Sequence, residues 1–133
     1  MTAVFADSFH FLALVNADDP AHAQALIEHR RRWQYIVTAD CVVLELGGAL
    51  CQPEDHGDFL ALCEAFRADP RMKVVRLTPT LLEDGIRRFR ERADKNWPLT
   101  DCISFVVMEA EGIQEALTGD RHFEQAGFRA LYR

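Results

Sequence analysis

Short apolar runs alternate along the chain with longer stretches in which apolar positions recur every three or four residues. The first kind reads as strands and the second as amphipathic helices. Ala3-Val4-Phe5-Ala6 is the first run, and it stops at Asp7. A helical stretch follows from Ser8 to Val15, with turn material at Asn16-Ala17-Asp18-Asp19-Pro20. The next helix is expected to carry Ala23, Leu26, Ile27 and Trp33 toward one side, and Tyr35-Ile36-Val37-Thr38 reads as the second strand. Asp40 is placed to cap a helix through Leu50 that is apolar nearly all round, the pattern of a buried helix. Phe59, Leu62, Cys63 and Phe66 form the stripe of another helix, which Pro70 helps to end. The third strand is Lys73-Val74-Val75-Arg76-Leu77, and Thr78-Pro79 then opens a helix with Leu82, Ile86, Phe89 and Ala93 at helical spacing. Past Asn96-Trp97-Pro98, a further helix turns Ile103, Val106, Val107 and Ala110 inward, with Gly112 beyond its end. Glu115-Ala116-Leu117-Thr118 is the fourth strand, closed by Gly119-Asp120; a short helical piece and a last strand, Phe128 to Leu131, follow. Alternation of this kind predicts a single α/β domain over residues 1–133 with a parallel sheet.

Composition narrows the class. Hydrophobic residues make up 49% and charged ones 27% of the chain, which excludes disorder and supports a core without disulfides or a structural metal. No apolar run reaches the ~18 residues of a membrane span. The opening MTAVFADSFHF lacks the basic region and cleavage site of a signal peptide. Cys41, Cys51, Cys63 and Cys102 form no CxxC pair and lie in apolar helical patterns, so they read as reduced core thiols of a cytoplasmic protein. The net charge of −6 runs against a nucleic-acid binder, which is usually basic. Two clusters resist that average: His29-Arg30-Arg31-Arg32, and Ile86 to Lys95 with Arg87, Arg88, Arg90 and Arg92. Composition alone favours the ordinary reading of such clusters, a solvated helix face laced with Glu and Arg.

Four acidic residues stand where water does not explain them. Asp7 and Asp120 terminate apolar strands, at the edge where open parallel sheets gather ligands. Glu45 lies within VVLELGGAL, a segment expected to be buried on every side, where an unpaired carboxylate is costly. Asp101 sits at the start of a buried helix, after Thr100. Singly, each has an ordinary reading: helix cap for Asp7 and Asp101, turn residue for Asp120, an internal arginine partner for Glu45. Together they suggest a carboxylate cluster, whose mutual repulsion is usually relieved by a divalent cation with oxygen ligands, typically magnesium or manganese.

These residues carry a resemblance over essentially the whole chain. KNWPLTDCISFVVMEAEGIQEALTGDRHFEQAGFRAL, from Lys95 to Leu131, resembles the third and fourth acidic motifs of the PIN-domain ribonucleases, especially the VapC-type toxins of toxin–antitoxin pairs. VFADSFHFLALVNADDPAH resembles their first motif and CVVLELGGAL their second. The resemblance implies a five-stranded, mostly parallel sheet with helices on both faces. It places the four acidic positions on Asp7, Glu45, Asp101 and Asp120. Many members carry Ser or Asn where this chain has Phe9, which leaves Ser8 as the nearest hydroxyl. Thr100 and Ser104 flank Asp101 and are weaker auxiliary candidates.

The function implied is metal-dependent endoribonuclease activity. One or two Mg²⁺ (or Mn²⁺) ions would be held by Asp7, Asp101 and Asp120, with Glu45 binding directly or through water, and water would attack to leave 5′-phosphate ends. His122 reads as packing or support, because no second acid–base partner is positioned for a metal-free mechanism. Arg30, Arg31, Arg32, Arg87, Arg88, Arg90 and Arg92 become candidates for RNA phosphates. A small antitoxin and a homodimer are the implied partners. The other reading is a PIN-fold RNA- or protein-binding module with little turnover. A phospho-signalling receiver is excluded by the missing aspartate in MKVVRLTP, and a haloacid-dehalogenase-type phosphatase by Asp7-Ser8-Phe9, which lacks a second aspartate.

Overall fold

The computed structural model describes residues 2–132; Met1 and Arg133, the two ends of the expected domain, lie outside the described residues. Five strands form one sheet: β1 (Ala3–Ala6), β2 (Tyr35–Ala39), β3 (Met72–Val75), β4 (Glu115–Leu117) and β5 (Arg129–Ala130). Their order is β3-β2-β1-β4-β5, and every pairing is parallel. The connections are α1 (Ser8–Val15) and α2 (His22–Arg30), then α3 (Asp40–Ala49) and α4 (His56–Ala68), then α5 (Pro79–Glu91) and α6 (Leu99–Glu111), and last α7 (Arg121–Gln125). A 3-10 turn at Pro53–Asp55 leads into α4. Right-handed crossovers put α1–α4 on one face and α5–α7 on the other. Each face has its aromatic packing: Phe11 against Phe66 on one, and Phe105 against Trp97, Phe123 and Phe128 on the other.

β1 is the central strand and is flanked by β2 and β4, to which the chain travels in opposite directions. That junction is the topological switch point where an open α/β sheet leaves a crevice at its carboxyl edge. Asp7 follows β1 and Asp120 follows β4, so the two aspartates flank that crevice. The strand bounds differ from the sequence expectation by one or two residues, at the ends where pairing frays.

Expectations for α2, α3, α5 and Cys51 are corrected. α2 ends at Arg30 because Arg31 is extended; its buried face carries Ala25 and Glu28, whereas Ala23 and Ile27 are exposed. Trp33 folds in from the following loop, its indole donating to the Glu28 carbonyl. α3 is one-sided rather than buried all round: Cys41, Val42 and Leu46 face the core, and Leu44 is 70% exposed. Asp40 is its first residue, not its cap, and its carboxylate accepts from the Leu77 amide. On α5 the buried position is Gly85, where a Cβ would fall 2.4 Å from Ile103 Cγ1, while Ile86 and Phe89 face outward. Among the cysteines, Cys41 and Cys102 are buried, Cys63 is half-buried and Cys51 is exposed, so Cys51 is no core thiol. No helix among the described residues is long and apolar enough to cross a membrane.

Candidate active site

Asp7 ends β1 as the residue before α1, the N-cap position, yet its side chain caps nothing. Its Oδ2 instead accepts from Thr118 Oγ1 at 3.0 Å, and Oδ1 is buried with no hydrogen-bond partner among the described residues. Burial, then the neighbouring Asp101 carboxylate, lift the Asp7 carboxyl to about 7; the Thr118 bond works against the rise and Glu45 adds to it. An acceptor oxygen held dry and unpaired beside further carboxylates is a position that suits a cation.

Asp101 lies inside the first turn of α6, whose N-cap is Pro98, so the capping role is not the one it plays. It is buried, and burial lifts its carboxyl to about 6; the His122 hydrogen bond opposes this, while Asp120 and Glu45 add to it. Asp120 does cap a helix, accepting from the His122 amide at 2.9 Å, and its own amide donates to Thr118 Oγ1. Thr118 therefore ties the first and last acids together. Glu45 is half-buried on α3 and accepts from Ser8 Oγ at 2.5 Å.

The geometry brings Asp7, Glu45, Asp101 and Asp120 into one electrostatic cluster. Within it, ligand atoms of Asp101, Asp120 and His122 lie within 4.8 Å of one another, close enough to share a metal ion. His122 Nδ1 is 2.8 Å from Asp101 Oδ2 and 3.2 Å from Asp120 Oδ1. The residues present thus fit a divalent cation: oxygen-rich donors, one imidazole, and an orphaned carboxylate oxygen in Asp7.

The auxiliary candidates divide. Ser8 is in the cluster through Glu45. Ser104 is fully buried and donates its hydroxyl proton to the Thr100 carbonyl, a bond within the helix. The arginines are scattered. Arg30, Arg31 and Arg32 lie at the amino edge of the sheet, just before β2, opposite the acids; Arg31 pairs with Glu28. On α5, Arg87 pairs with Asp84 and Arg88 with Glu109, and Arg92, just past its end, pairs with Asp94 and lies over Trp97. Arg90 is exposed. Sequence reasoning passed over Thr118 and Arg121 and gave His122 only a supporting part. Arg121 is exposed directly after Asp120.

Residues 4–129 match the PIN domain family model. The 23S rRNA-specific endonuclease VapC20 of Mycobacterium tuberculosis is 29% identical over 129 residues, covering 94% of this chain and 95% of that protein. The crystal structure of Mycobacterium tuberculosis VapC20, described as a Sarcin-Ricin loop cleaving toxin, superposes with a TM-score of 0.85 at 27% identity over 94% of this chain and 95% of that one. VapBC2 from Rickettsia felis, in a structure bound to a DNA fragment from their promoter, shares the fold at a TM-score of 0.67 and 11% identity, over 98% and 96% of the two chains. The chain belongs to the PIN-domain family.

Proposed function

We propose that this chain is a divalent-metal-dependent endoribonuclease, the toxin of a VapBC-type pair, and that it cuts 23S rRNA in the sarcin–ricin loop. The observation that carries the reading is Asp7 Oδ1, buried and unpartnered within a group of carboxylates at the sheet's switch point. The substrate is supported by the likeness to VapC20 over nearly the whole chain. Asp7, Asp101 and Asp120 would hold one or two Mg²⁺ or Mn²⁺ ions, with Glu45 joining directly or through water. A cation held there would supply charge neutralisation at the scissile phosphate and acidify water, chemistry that would spare the ribose 2′-hydroxyl and leave 5′-phosphate ends. Thr118 orients Asp7, and His122 braces Asp101 against Asp120. Arg121, exposed beside Asp120, would meet a flanking phosphate.

The partner is a small antitoxin. A mainly apolar cavity of about 620 Å³ opens between α3, α4 and β3, lined by Val43, Leu60, Cys63, Phe66 and Val74 together with the charged Asp40, Glu64, Arg67 and Arg76. Leu44 and Leu60 are 70% and 64% exposed beside it, a surface that a helical peptide would cover. Exposed Ile86 and Phe89 on α5 support self-association into a homodimer. The protein works in the cytoplasm, where its RNA is. The test is primer extension across the sarcin–ricin loop in RNA from cells expressing the chain alone. One new 5′ end, absent with Asp7→Asn, is expected; intact 23S rRNA in growth-arrested cells would contradict the substrate.

A further inference from the structure

Phe9 occupies the second position of α1, two residues after Asp7, where an apolar ring has no obvious reason to meet water. It is nevertheless 37% exposed. Its inner edge rests on Gly119: a Cβ at that glycine would fall 2.7 Å from Phe9 Cζ and 3.0 Å from Cε2. Gly119 lies between Thr118, the donor to Asp7, and Asp120. The ring is therefore seated on the backbone that joins two of the site's acids. Tyr132 flanks it at 5.8 Å between centroids, tilted by 36°. Tyr132 is fixed in turn by its hydroxyl against His10 Nδ1 and by its amide donating to the Thr118 carbonyl.

We propose that Phe9 is a stacking platform for one unpaired nucleobase next to the scissile phosphate, and so a specificity-determining residue of the reaction. This rests on the endoribonuclease reading above. A ring braced by Gly119 and Tyr132 loses little freedom when a base settles on its open part, which is the condition for efficient stacking. Aromatic side chains are the usual seats for splayed single-stranded bases, and such stacking is insensitive to base identity while demanding that a base be present. The platform thus selects flexible loops over duplex, where every base is already stacked.

The experiment measures kcat/KM on a synthetic sarcin–ricin hairpin and on the same hairpin carrying an abasic nucleotide, moved through the positions flanking the cut. Phe9→Leu keeps an apolar side chain but removes the ring. Gly119→Ala keeps the ring but displaces it. Each is expected to lose about tenfold on the intact hairpin. The wild type is expected to lose a similar factor on one abasic hairpin, and on that substrate both variants should lose nothing further. If the abasic penalty is as large in Phe9→Leu as in the wild type at every position, or if Phe9→Leu cuts the intact hairpin as well as the wild type does, the platform is wrong. A wild type that cuts neither hairpin, level with Asp101→Asn, overturns the sarcin–ricin substrate and the platform together.

Discussion

At Asp7 a carboxylate receives one side-chain hydrogen bond, faces two further carboxylates and has almost no access to water. Its carboxyl is raised from 3.8 to about 7, so the fold holds a proton that the unfolded chain has released. Stability from this group is complete below about pH 4 and is lost as pH rises through about 7. The Asp101 carboxyl, raised to about 6, acts in the same direction over a narrower window. The cost at pH 8 has a ceiling of about 4 kcal/mol for Asp7, a large part of a domain's stability. Asp7→Asn is therefore expected to melt several degrees above the metal-free wild type at pH 8 and level with it at pH 4, while cleavage falls a hundredfold or more. Equal melting at both pH values would contradict the burial argument. Thr118→Val keeps the volume but removes the donor to Asp7 and the acceptor of the Asp120 amide. It is expected to cost about 1–2 kcal/mol in denaturant unfolding and to weaken Mn²⁺ binding by calorimetry. The acids were legible in the sequence because carboxylates at strand ends and in an apolar helix are out of place. Thr118 and His122 were not, because a threonine in a strand and a histidine in a short helix look ordinary. Only folding brings positions 118 and 7 together.

α5 and α6 are the elements whose contact depends most on one residue. Gly85 is the buried residue of α5, and Ile103 of α6 fills the space its side chain would need. Gly85→Ala should gain up to about 1 kcal/mol of helix propensity and lose more than that to overpacking, for a net loss of about 1–2 kcal/mol. Gly48→Ala, on α3 with nothing within 4 Å, should stabilise by up to about 1 kcal/mol instead. Opposite signs in chemical denaturation are the check. Periodicity located both helices but misjudged which faces are buried. A glycine carries no hydrophobic signal, although its smallness is what lets α6 approach. Leu44, Ile86 and Phe89 carry a strong signal and yet face outward. Apolar spacing reports that a face is covered without telling sheet from partner, which is why α3 read as wholly buried. α2 misled for a simpler reason: its end at Arg30 left Trp33 to enter from a loop.

Over the whole molecule, the strand order puts the sheet's switch point, the carboxylates and the orphaned Asp7 oxygen at one edge, while net charge stays at −6. The parallel α/β class followed from alternation alone. The edge shared by Asp7 and Asp120 followed from their strand-end positions, whereas the strand order β3-β2-β1-β4-β5 came only with the fold, since local pattern does not encode strand neighbours. Arg31 is paired with Glu28, and Arg87, Arg88 and Arg92 with Asp84, Glu109 and Asp94, so the proposed reading expects few phosphate contacts near the cut. Accordingly log kcat/KM should fall only shallowly with log salt concentration, with a slope of roughly −1 to −2, and Arg121→Ala should remove about 0.7 of it. A steep slope would mean a basic surface elsewhere is engaged. The most direct test of the account is cleavage of total cellular RNA by the purified protein with Mg²⁺ or Mn²⁺ and with EDTA, beside Asp101→Asn, with the new ends mapped. Cuts bearing 5′-phosphates that need the metal and vanish in the variant are expected. Cutting that persists in EDTA, or that Asp101→Asn leaves unchanged, would contradict it.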